Sequence, residues 1–300
     1  MESSGDINSE TCFIFNPASN SGRLSSSETA IRTLVNTHLP EASFICSQPN
    51  RSFWRKLPQR LSRCTRLIAC GGDGTVHHTG NVAVNIGAAL GIIPIGSGND
   101  FAHLMGIPRS IPTAFKKILS NKIRLVDLIK VEGDLNCYCL NTAGIGLDGQ
   151  ANHYTNIYKK RMGKAGYIAG ALRAITSAES IQMEIEIDGK KAERSLLMAT
   201  ICNGKREGGN FWVAPGACPD DGLADLLLLE PTPIQKILLD PPSILTSGNF
   251  KRIHASRERC RSIDVTCNSP TFIHVDGEYS DYPIHHCTFS VQPSALTVIA

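Results

Sequence analysis

The chain has 300 residues, a length that fits two domains of ordinary size better than one. Apolar residues make up 42% of the sequence and charged residues 19%, which is enough to bury a large core and excludes a wholly disordered protein. The formal net charge of +3 is too small to indicate nucleic acid as a partner.

The first ten residues are polar and acidic, without the basic start and apolar run of a signal peptide, and are predicted to form a disordered tail. No apolar run approaches the roughly 18 residues that a membrane-spanning helix needs. The eleven cysteines are scattered without a C-x-x-C spacing, which indicates reduced thiols. These features predict a soluble, cytoplasmic protein whose contact with any membrane is peripheral.

In the first half of the chain, short apolar runs alternate with segments of helical length. The runs that we predict as strands are Thr11–Phe15, Ser43–Cys46, Leu67–Cys70 and Gly91–Ile95. Buried strands separated by helices are typical of a parallel sheet with helices on both faces. We therefore predict a Rossmann-like α/β domain of three layers over residues 11–130.

The second half has a different pattern. Gln182–Asp188 alternates polar and apolar residues and ends at Asp188-Gly189, a dipeptide that favours a tight hairpin turn. Leu196–Cys202 is the next apolar run and is the predicted partner strand. Further Asp-Gly pairs separate other short runs, which predicts an antiparallel β-sandwich over residues 131–290 with one helix around Gly166–Ser177.

The first motif that carries chemistry is Gly71–Thr75 (GGDGT), where an apolar strand runs directly into a glycine turn followed by a helical segment. Glycines let backbone N–H groups approach a phosphate closely, and the helix N-terminus adds positive potential. A plain strand-to-helix turn would use the same residues. The motif is neither a Walker A sequence nor the spaced glycine pattern of dinucleotide-binding folds.

The same design recurs at Gly91–Ala102, where a Gly-Ser-Gly turn follows a strand and precedes a helix-capping Asn-Asp pair. Loops at the carboxyl ends of parallel strands face the same crevice. Asp73 and Asp100 are separated by one strand–helix–strand unit. Both carboxylates are therefore predicted at one edge of the sheet, where they could organise Mg²⁺ directly or through water.

Together the two glycine motifs resemble the paired signature of the diacylglycerol and sphingosine kinase superfamily. Further landmarks follow in the order found in that family, and the similarity covers nearly the whole chain from Cys12 onward. These landmarks are Asn16-Pro17 with Ser21-Gly22, Val126–Leu128, Asn141–Asp148, Asn203–Asp225 and His274–Glu278. The segment N-P-A-S-N-S-G is longer than the usual first nucleotide loop of the family, N-P-x-S-G.

The resemblance implies a lipid kinase that transfers the γ-phosphate of Mg–ATP to a lipid hydroxyl such as that of diacylglycerol. Mg²⁺ would be the cofactor and ATP the co-substrate. The resemblance also implies an NAD-kinase-like N-terminal domain, to which residues 291–300 return, and a C-terminal β-sandwich on the lipid side. In this family ATP binds between the two domains.

The same resemblance implies the site residues. The nucleotide-binding set is Asn16, Gly22, Gly71, Gly72, Asp73, Gly74, Thr75 and Ser97. Asp276 and Glu278 match the catalytic acidic pair, one of which takes the proton of the lipid hydroxyl, although their Asp-Gly step alone would also suit a surface hairpin. Asp221, with the backbone carbonyls of Cys218 and Leu223, matches a structural magnesium site.

The sequence departs from the family pattern after Thr75. Where members commonly have Asn-Glu, this chain has His77-His78. One interpretation is a pair of ordinary helix residues that face solvent; the other is an altered nucleotide or metal preference, or reduced activity. A shared zinc ion is disfavoured, because adjacent helical residues point in different directions.

Two other functions stay open. NAD kinases share G-G-D-G-T, which would suit a soluble substrate, although G-S-G-N-D-F-A belongs to the lipid branch. The histidine pair leaves room for a nucleotide-binding protein with little turnover. Diacylglycerol, phosphatidylglycerol, a sphingoid base and ceramide all remain possible acceptors. The expected partner is lipid at a membrane surface, with basic clusters at Arg51–Arg66, Lys159–Lys164 and Lys251–Arg261 as candidate contacts. A homodimer is a suggestion from the family.

Overall fold

The computed structural model describes residues 9–19, 24–162, 164–209, 211–239, 254–280 and 282–300. The chain divides into two units, the first comprising residues 1–126 and 294–300 and the second residues 127–293. Among the described residues, no helix has both the length and the apolar character needed to cross a membrane.

The first unit is built on a parallel sheet with helices between its strands. Its elements are β1 (Thr11–Phe15), α1 (Leu24–His38), β2 (Ser43–Cys46), α2 (Arg51–Arg60), β3 (Arg66–Gly71), α3 (Asp73–Ile86), β4 (Ala89–Pro94), α4 (Asp100–Leu104) and α5 (Ile111–Ser120). The strands pair in the order β2-β1-β3-β4, and every pairing is parallel. All five residues of β1 are buried, as expected for a strand covered on both faces.

The end of the chain completes this sheet. Val298 pairs in parallel register with Leu90 of β4, and the Ala300 N–H donates to the Lys122 carbonyl. Ile299 packs into the same apolar cluster as Phe13 and Phe115. The first unit is therefore assembled from both ends of the chain.

The second unit contains two antiparallel sheets. Its elements are β5 (Ile123–Gly133, which begins in the first unit), β6 (Cys137–Cys139), β7 (Thr142–Gly146), α6 (Leu147–Met162), α7 (Lys164–Thr176), β8 (Ile181–Ile187), β9 (Lys190–Leu196), β10 (Met198–Cys202), β11 (Arg206–Glu207), β12 (Phe211–Trp212), β13 (Ala224–Leu229), α8 (Ile234–Leu239), β14 (Ala255–Cys260), β15 (Ser262–Thr271), β16 (Ile273–Val275), β17 (Glu278–Tyr279) and β18 (Ile284–Ile299).

One sheet of the second unit has the order β14-β13-β10-β7-β16-β17, and the other contains β9-β8-β15-β18 with β5 and β6. A single apolar cluster takes residues from both sheets, including Ile145 and Ile201 from one and Ile185 and Val265 from the other. This is the core of a β-sandwich. The predicted fold class, an α/β domain followed by an antiparallel sandwich, is confirmed.

Two details of the second unit differ from the sequence prediction. The partner of β8 is β9, and the apolar run Leu196–Cys202 instead supplies β10 to the other sheet. The sequence of β9 is polar because this strand lies at the sheet edge and is mostly exposed. Two helices, α6 and α7, stand where one was predicted. The first was missed because its residues are largely polar and show no clear apolar stripe.

The turn between β8 and β9 makes a first test of the fold. Asp188 and Gly189 both have positive φ angles, 46° and 82°, as a two-residue hairpin turn of type I′ requires. Gly189→Ala should destabilise the second unit by about 1–2 kcal/mol, because a Cβ is strained in the left-handed region. Urea unfolding measures this change.

Gly216→Ala is the matched control, since its φ is not positive and the nearest atom to an added Cβ is Asp225 Oδ1 at 3.9 Å. It should stay within about 0.5 kcal/mol of the wild type. Equal losses in the two variants would contradict the assigned turn.

Candidate functional site

The first glycine motif forms the junction between β3 and α3. Gly72 is the N-cap of α3 in an extended conformation (φ −96°, ψ −166°), and no side chain caps the helix. A Cβ on Gly71 would collide with the side chain of Thr75. The first turn of α3 thus presents backbone N–H groups without a side-chain cap, which is the arrangement that binds phosphate.

The second glycine motif packs directly against the first. A Cβ on Gly96 would overlap the Cα atom of Gly72, so the two loops approach backbone to backbone. Asn99 holds the second loop closed: its Oδ1 accepts the Gly96 N–H at 3.0 Å and its Nδ2 donates to the Gly96 carbonyl at 2.7 Å. Its own backbone is left-handed, with φ 61°.

Asp73 joins the two motifs. Its Oδ2 accepts the Asn99 N–H and its Oδ1 accepts the Asp100 N–H, both at 2.7 Å. A Cβ on Gly98 would meet carboxylate oxygens of both Asp73 and Asp100. The two predicted carboxylates are therefore brought together, in a setting of oxygen ligands that suits Mg²⁺. Asp73 has a second role, because it fixes the backbone of the neighbouring loop.

The other predicted nucleotide residues lie around these loops. Asn16 follows β1 and donates from Nδ2 to Thr75 Oγ1 at 2.9 Å. Ser97 is exposed, and its carbonyl accepts from Arg109 Nη2 at 2.9 Å. Gly74 lies in the first turn of α3. Gly22 lies outside the described residues.

The histidine pair on α3 is not a solvent-facing feature. His77 is buried, with 6% of its surface exposed, which corrects the interpretation that both side chains face solvent. His78 is half-buried and stacks on Trp54 of α2, with ring centroids 4.7 Å apart. The pair therefore contributes to the packing of α2 against α3, an interaction that the sequence pattern of α3 alone did not reveal.

In the second unit, Asp276 and Gly277 form the two-residue turn between β16 and β17. Their φ angles are 53° and 81°, as in the Asp188-Gly189 turn. Asp276 is nonetheless buried, with 8% exposure, whereas Glu278 is exposed on β17. The turn is a hairpin as Asp-Gly suggests, but the aspartate side chain is directed inward.

The Asp276 carboxylate is anchored by backbone amides. Its Oδ1 accepts the N–H groups of Asn141 at 2.7 Å and Thr142 at 3.2 Å, and its Oδ2 accepts that of Leu140 at 2.9 Å. The Cys139 thiol adds a contact to Oδ1 at 3.4 Å. Hydrogen bonds from several N–H groups stabilise a buried carboxylate charge and fix its orientation.

The predicted structural magnesium residues lie in the turn before β13. Asp221 Oδ1 accepts the Leu223 N–H at 3.1 Å, and its Oδ2 pairs with Arg259 of β14. Arg259 also lies 3.7 Å from Asp225 Oδ2. The Cys218 thiol donates to Asp220. Carboxylate oxygens are suitable ligands for a hard cation such as Mg²⁺. The Arg259 guanidinium already neutralises Asp221, however, so a cation that bound there would have to displace the guanidinium.

A second polar cluster lies beside the acidic hairpin. His274 of β16 is fully buried, and its Nε2 lies 3.3 Å from Asp148 Oδ2 and 3.1 Å from Glu207 Oε1. Burial lowers the pKa of His274, but the charges of Glu207 and Asp148 outweigh burial and raise that pKa to about 9. Thr200 Oγ1 donates to Asp148 Oδ2 at 2.7 Å.

Family models cover both units. The diacylglycerol kinase catalytic domain matches residues 10–131, and the YegS C-terminal NAD kinase β-sandwich-like domain matches residues 141–300. The chain belongs to the diacylglycerol kinase catalytic-domain family. A Pseudomonas fluorescens member named "Probable lipid kinase YegS-like" is 32% identical over 78% of this chain and 77% of its own. The Bacillus subtilis member named "Diacylglycerol kinase" is 27% identical over 71% of each chain.

Solved structures agree with this family. A Bacillus anthracis protein assigned to the diacylglycerol kinases has a TM-score of 0.79 at 27% identity, over 97% of both chains. The NAD kinase of Archaeoglobus fulgidus, solved in complex with ATP, has a TM-score of 0.51 at 12% identity, over 97% of this chain and 93% of its own. The second likeness shows a shared fold and nothing further.

Sequence reasoning missed His274, Asp148, Glu207 and Arg259 as functional candidates in this family member. His274 and Asp148 lie inside motifs that were recognised, so the signal was present but was attributed to neighbouring residues. A polar residue at an inward position of a short strand is such a signal. Arg259 gave no signal, because its pairing depends on the register of β13 with β14.

Asp73 can be tested for its structural role apart from catalysis. Asp73→Ala removes the acceptors of two loop amides and should lower the free energy of unfolding of the first unit by about 1.5–3 kcal/mol. Chemical denaturation measures the loss. Glu28→Ala breaks only a surface pair with Arg32 and should cost no more than about 0.5 kcal/mol. An Asp73→Ala variant as stable as Glu28→Ala would contradict the anchoring role.

The Arg259–Asp221 pair predicts how the second unit responds to magnesium. Arg259→Met frees Asp221, so Mg²⁺ at 100 times its Kd should stabilise this variant by about 2.7 kcal/mol relative to chelator. The wild type should respond less, because its guanidinium competes with the ion. Thermal unfolding with and without Mg²⁺ measures both. Arg194→Met, which breaks the pair with Glu258, is the control. Equal responses in all three proteins would rule out competition at Asp221.

Proposed function

We propose that this protein is a lipid kinase that transfers the γ-phosphate of Mg–ATP to a hydroxyl group of a lipid such as diacylglycerol. The observation that carries the proposal is the anchored carboxylate of Asp276, a buried acid held by three backbone amides in the family's acidic hairpin. Support also comes from relatives named as lipid and diacylglycerol kinases.

In this proposal the first unit binds the nucleotide. The backbone N–H groups at the start of α3 hold the triphosphate, with Asn16 and Ser97 beside them. Asp73 and Asp100 would hold magnesium, which when bound neutralises charge on the transferred phosphoryl group. The close contact of Gly72 with Gly96 keeps side chains out of the space that the phosphates need.

The second unit supplies the base. A lipid hydroxyl is a weak nucleophile at neutral pH, so a carboxylate that accepts its proton in the transition state accelerates transfer. Asp276 is proposed for this role because its orientation is fixed, whereas Glu278 is exposed. The amides of residues 140–142 prevent the carboxylate from rotating away, which is the preorganisation that such catalysis requires.

The second unit also offers an apolar surface suited to lipid. Ile157 on α6 and Ile168 and Leu172 on α7 are all exposed, and Ile168 retains 67% of its surface. Large exposed apolar side chains on adjacent helices commonly mark a contact with membrane or partner. We propose that they support peripheral attachment. The side chains of the predicted cluster Lys159–Lys164 lie outside the described residues.

The deciding experiment follows labelled γ-phosphate from Mg–ATP into mixed micelles that contain diacylglycerol, phosphatidylglycerol, a sphingoid base or ceramide, with NAD as the soluble control. Label in a lipid supports the proposal and names the acceptor. Label in NAD alone would replace it with an NAD-kinase-like function. ATP binding without any transfer would instead favour a nucleotide-binding protein, to which the unusual His77-His78 pair could contribute.

The role of Asp276 can be tested by Asp276→Asn, which keeps the shape of the side chain and loses the base. We expect kcat to fall by about 10²–10⁴ while nucleotide affinity is unchanged. Steady-state kinetics and ATP titration measure the two quantities. Glu193→Gln on the exposed strand β9 is the matched control. An unchanged kcat in Asp276→Asn, with a loss in Glu278→Gln, would transfer the role to Glu278.

A further inference from the structure

Two polar side chains of the second unit lie on one row of the sheet, on either side of a glycine. Thr200 of β10 is directly opposite Gly144 of β7, and Gly144 is directly opposite His274 of β16. The absence of a side chain at Gly144 matters, because an added Cβ would collide with the carboxylate of Asp148. Asp148 lies in the first turn of α6 and fills the space above the glycine. Glu207 of β11 completes the group.

The separations in this group match those of metal ligands. His274 Nε2 lies 3.3 Å from Asp148 Oδ2 and 3.1 Å from Glu207 Oε1, and all three ligand atoms lie within 4.8 Å of one another. In a tetrahedral site with metal–ligand bonds of about 2.0–2.1 Å, neighbouring ligand atoms are about 3.3–3.4 Å apart. The two nitrogen–oxygen separations are thus close to those between neighbouring ligands of a tetrahedral site.

The buried nitrogen has no ordinary hydrogen bond. Among the described residues, His274 Nε2 finds no hydrogen-bond partner of normal geometry, although two carboxylates lie within 3.3 Å and the residue is completely buried. An N–H group on Nε2 that formed a hydrogen bond with either carboxylate oxygen would point toward that oxygen. His274 Nε2 thus faces two carboxylate oxygens at once without a well-aligned hydrogen bond to either one.

The charges of the group also require a cation. Two carboxylates beside one another in a largely desolvated position are costly unless a positive charge lies between them. The Gly277 N–H donates to His274 Nδ1 at 3.3 Å, which is long for a hydrogen bond. A metal held by Nε2 leaves the imidazole proton on Nδ1, so metal binding would replace this weak hydrogen bond.

Access and outer contacts are suited to metal binding as well. The side chains of Asp148 and Glu207 are 15% and 18% exposed, so an ion can enter from solvent, whereas His274 is closed off. The Thr200 hydroxyl orients Asp148 Oδ2 at 2.7 Å. Outer-shell hydrogen bonds of this type hold metal ligands in position. One nitrogen and two oxygen ligands with a fourth position open are typical of borderline divalent metals such as zinc.

We propose that Asp148, Glu207 and His274 form a binding site for one divalent transition metal of the zinc type. This site is separate from the magnesium that phosphoryl transfer uses, and it does not depend on the proposed lipid kinase activity. Its three ligands come from α6, β11 and β16, elements that lie next to the turn that carries Asp276. A metal here would rigidify the base of that turn.

The test uses the full chain, stripped with chelator and then titrated with Co²⁺ in excess Mg²⁺, which keeps sites for hard cations filled. We expect one Co²⁺ per chain with the intense visible absorption of tetrahedral cobalt, displaced by Zn²⁺. His274→Gln should abolish this absorption. Thr200→Val should weaken the affinity by about 10–100-fold, the usual effect of losing an outer hydrogen bond. His38→Gln, an exposed histidine on α1, should bind as the wild type does.

Three results would overturn the proposal. The first is the absence of tetrahedral absorption in the wild type. The second is a spectrum with thiolate charge-transfer bands, which would place the ion on cysteine. The third is unchanged affinity in His274→Gln. If thermal unfolding shows that His274→Gln does not fold, the Co²⁺ titration is made on Asp148→Asn and Glu207→Gln instead. Each substitution keeps the shape of the side chain, and each variant should lose most of its affinity for Co²⁺.

Discussion

The backbone-to-backbone contact between Gly72 and Gly96 is the constraint on which the first unit depends. Neither position tolerates a side chain without moving the other loop, so the two motifs are close enough for Asp73 to bridge them. The bridge uses both carboxylate oxygens on the amides of Asn99 and Asp100. The aspartate that the sequence pattern singled out as a candidate magnesium ligand thus also holds the two loops together.

The second unit contains two Asp-Gly hairpin turns whose aspartates differ in burial. Asp188-Gly189 and Asp276-Gly277 are both hairpin turns with positive φ at each residue. Asp188 accepts the amides of Arg261 and Ser262 and remains exposed. Asp276 accepts the amides of residues 140–142 and is buried. The dipeptide determines the turn, while the segment that packs beside it determines whether the aspartate stays exposed or is buried.

These contrasts show what the sequence could predict. Strands such as Thr11–Phe15 and Ser43–Cys46 agree with prediction because both of their ends are marked by polar or turn-forming residues. The motif order identified the family, which the family models then confirmed. Strand β9 and helix α6 were missed, because an edge strand and a helix rich in polar residues lack the apolar period that prediction uses.

The candidate site was predictable only where a local sequence signal marks its residues. Glycine motifs and the Asp-Gly turn carry local signals, since φ angles and close backbone approach restrict the residue type. That Thr200, Gly144 and His274 lie in one row could not be predicted, because the row depends on the register of strands distant in the chain. The pairing of Arg259 with Asp221 depends on register as well. Contacts set by long-range pairing need the fold before they can be seen.

The return of the chain end to the first sheet affects how the nucleotide-binding half could be isolated. A fragment that stopped near residue 126 would lack the end of β18, whose Val298 pairs with Leu90, so β4, an almost fully buried strand, would become an open edge. Unprotected apolar edges recruit strands from other molecules. A soluble stand-alone version would need the final residues grafted back on, for example by joining residues 294–300 to residue 126 through a short linker.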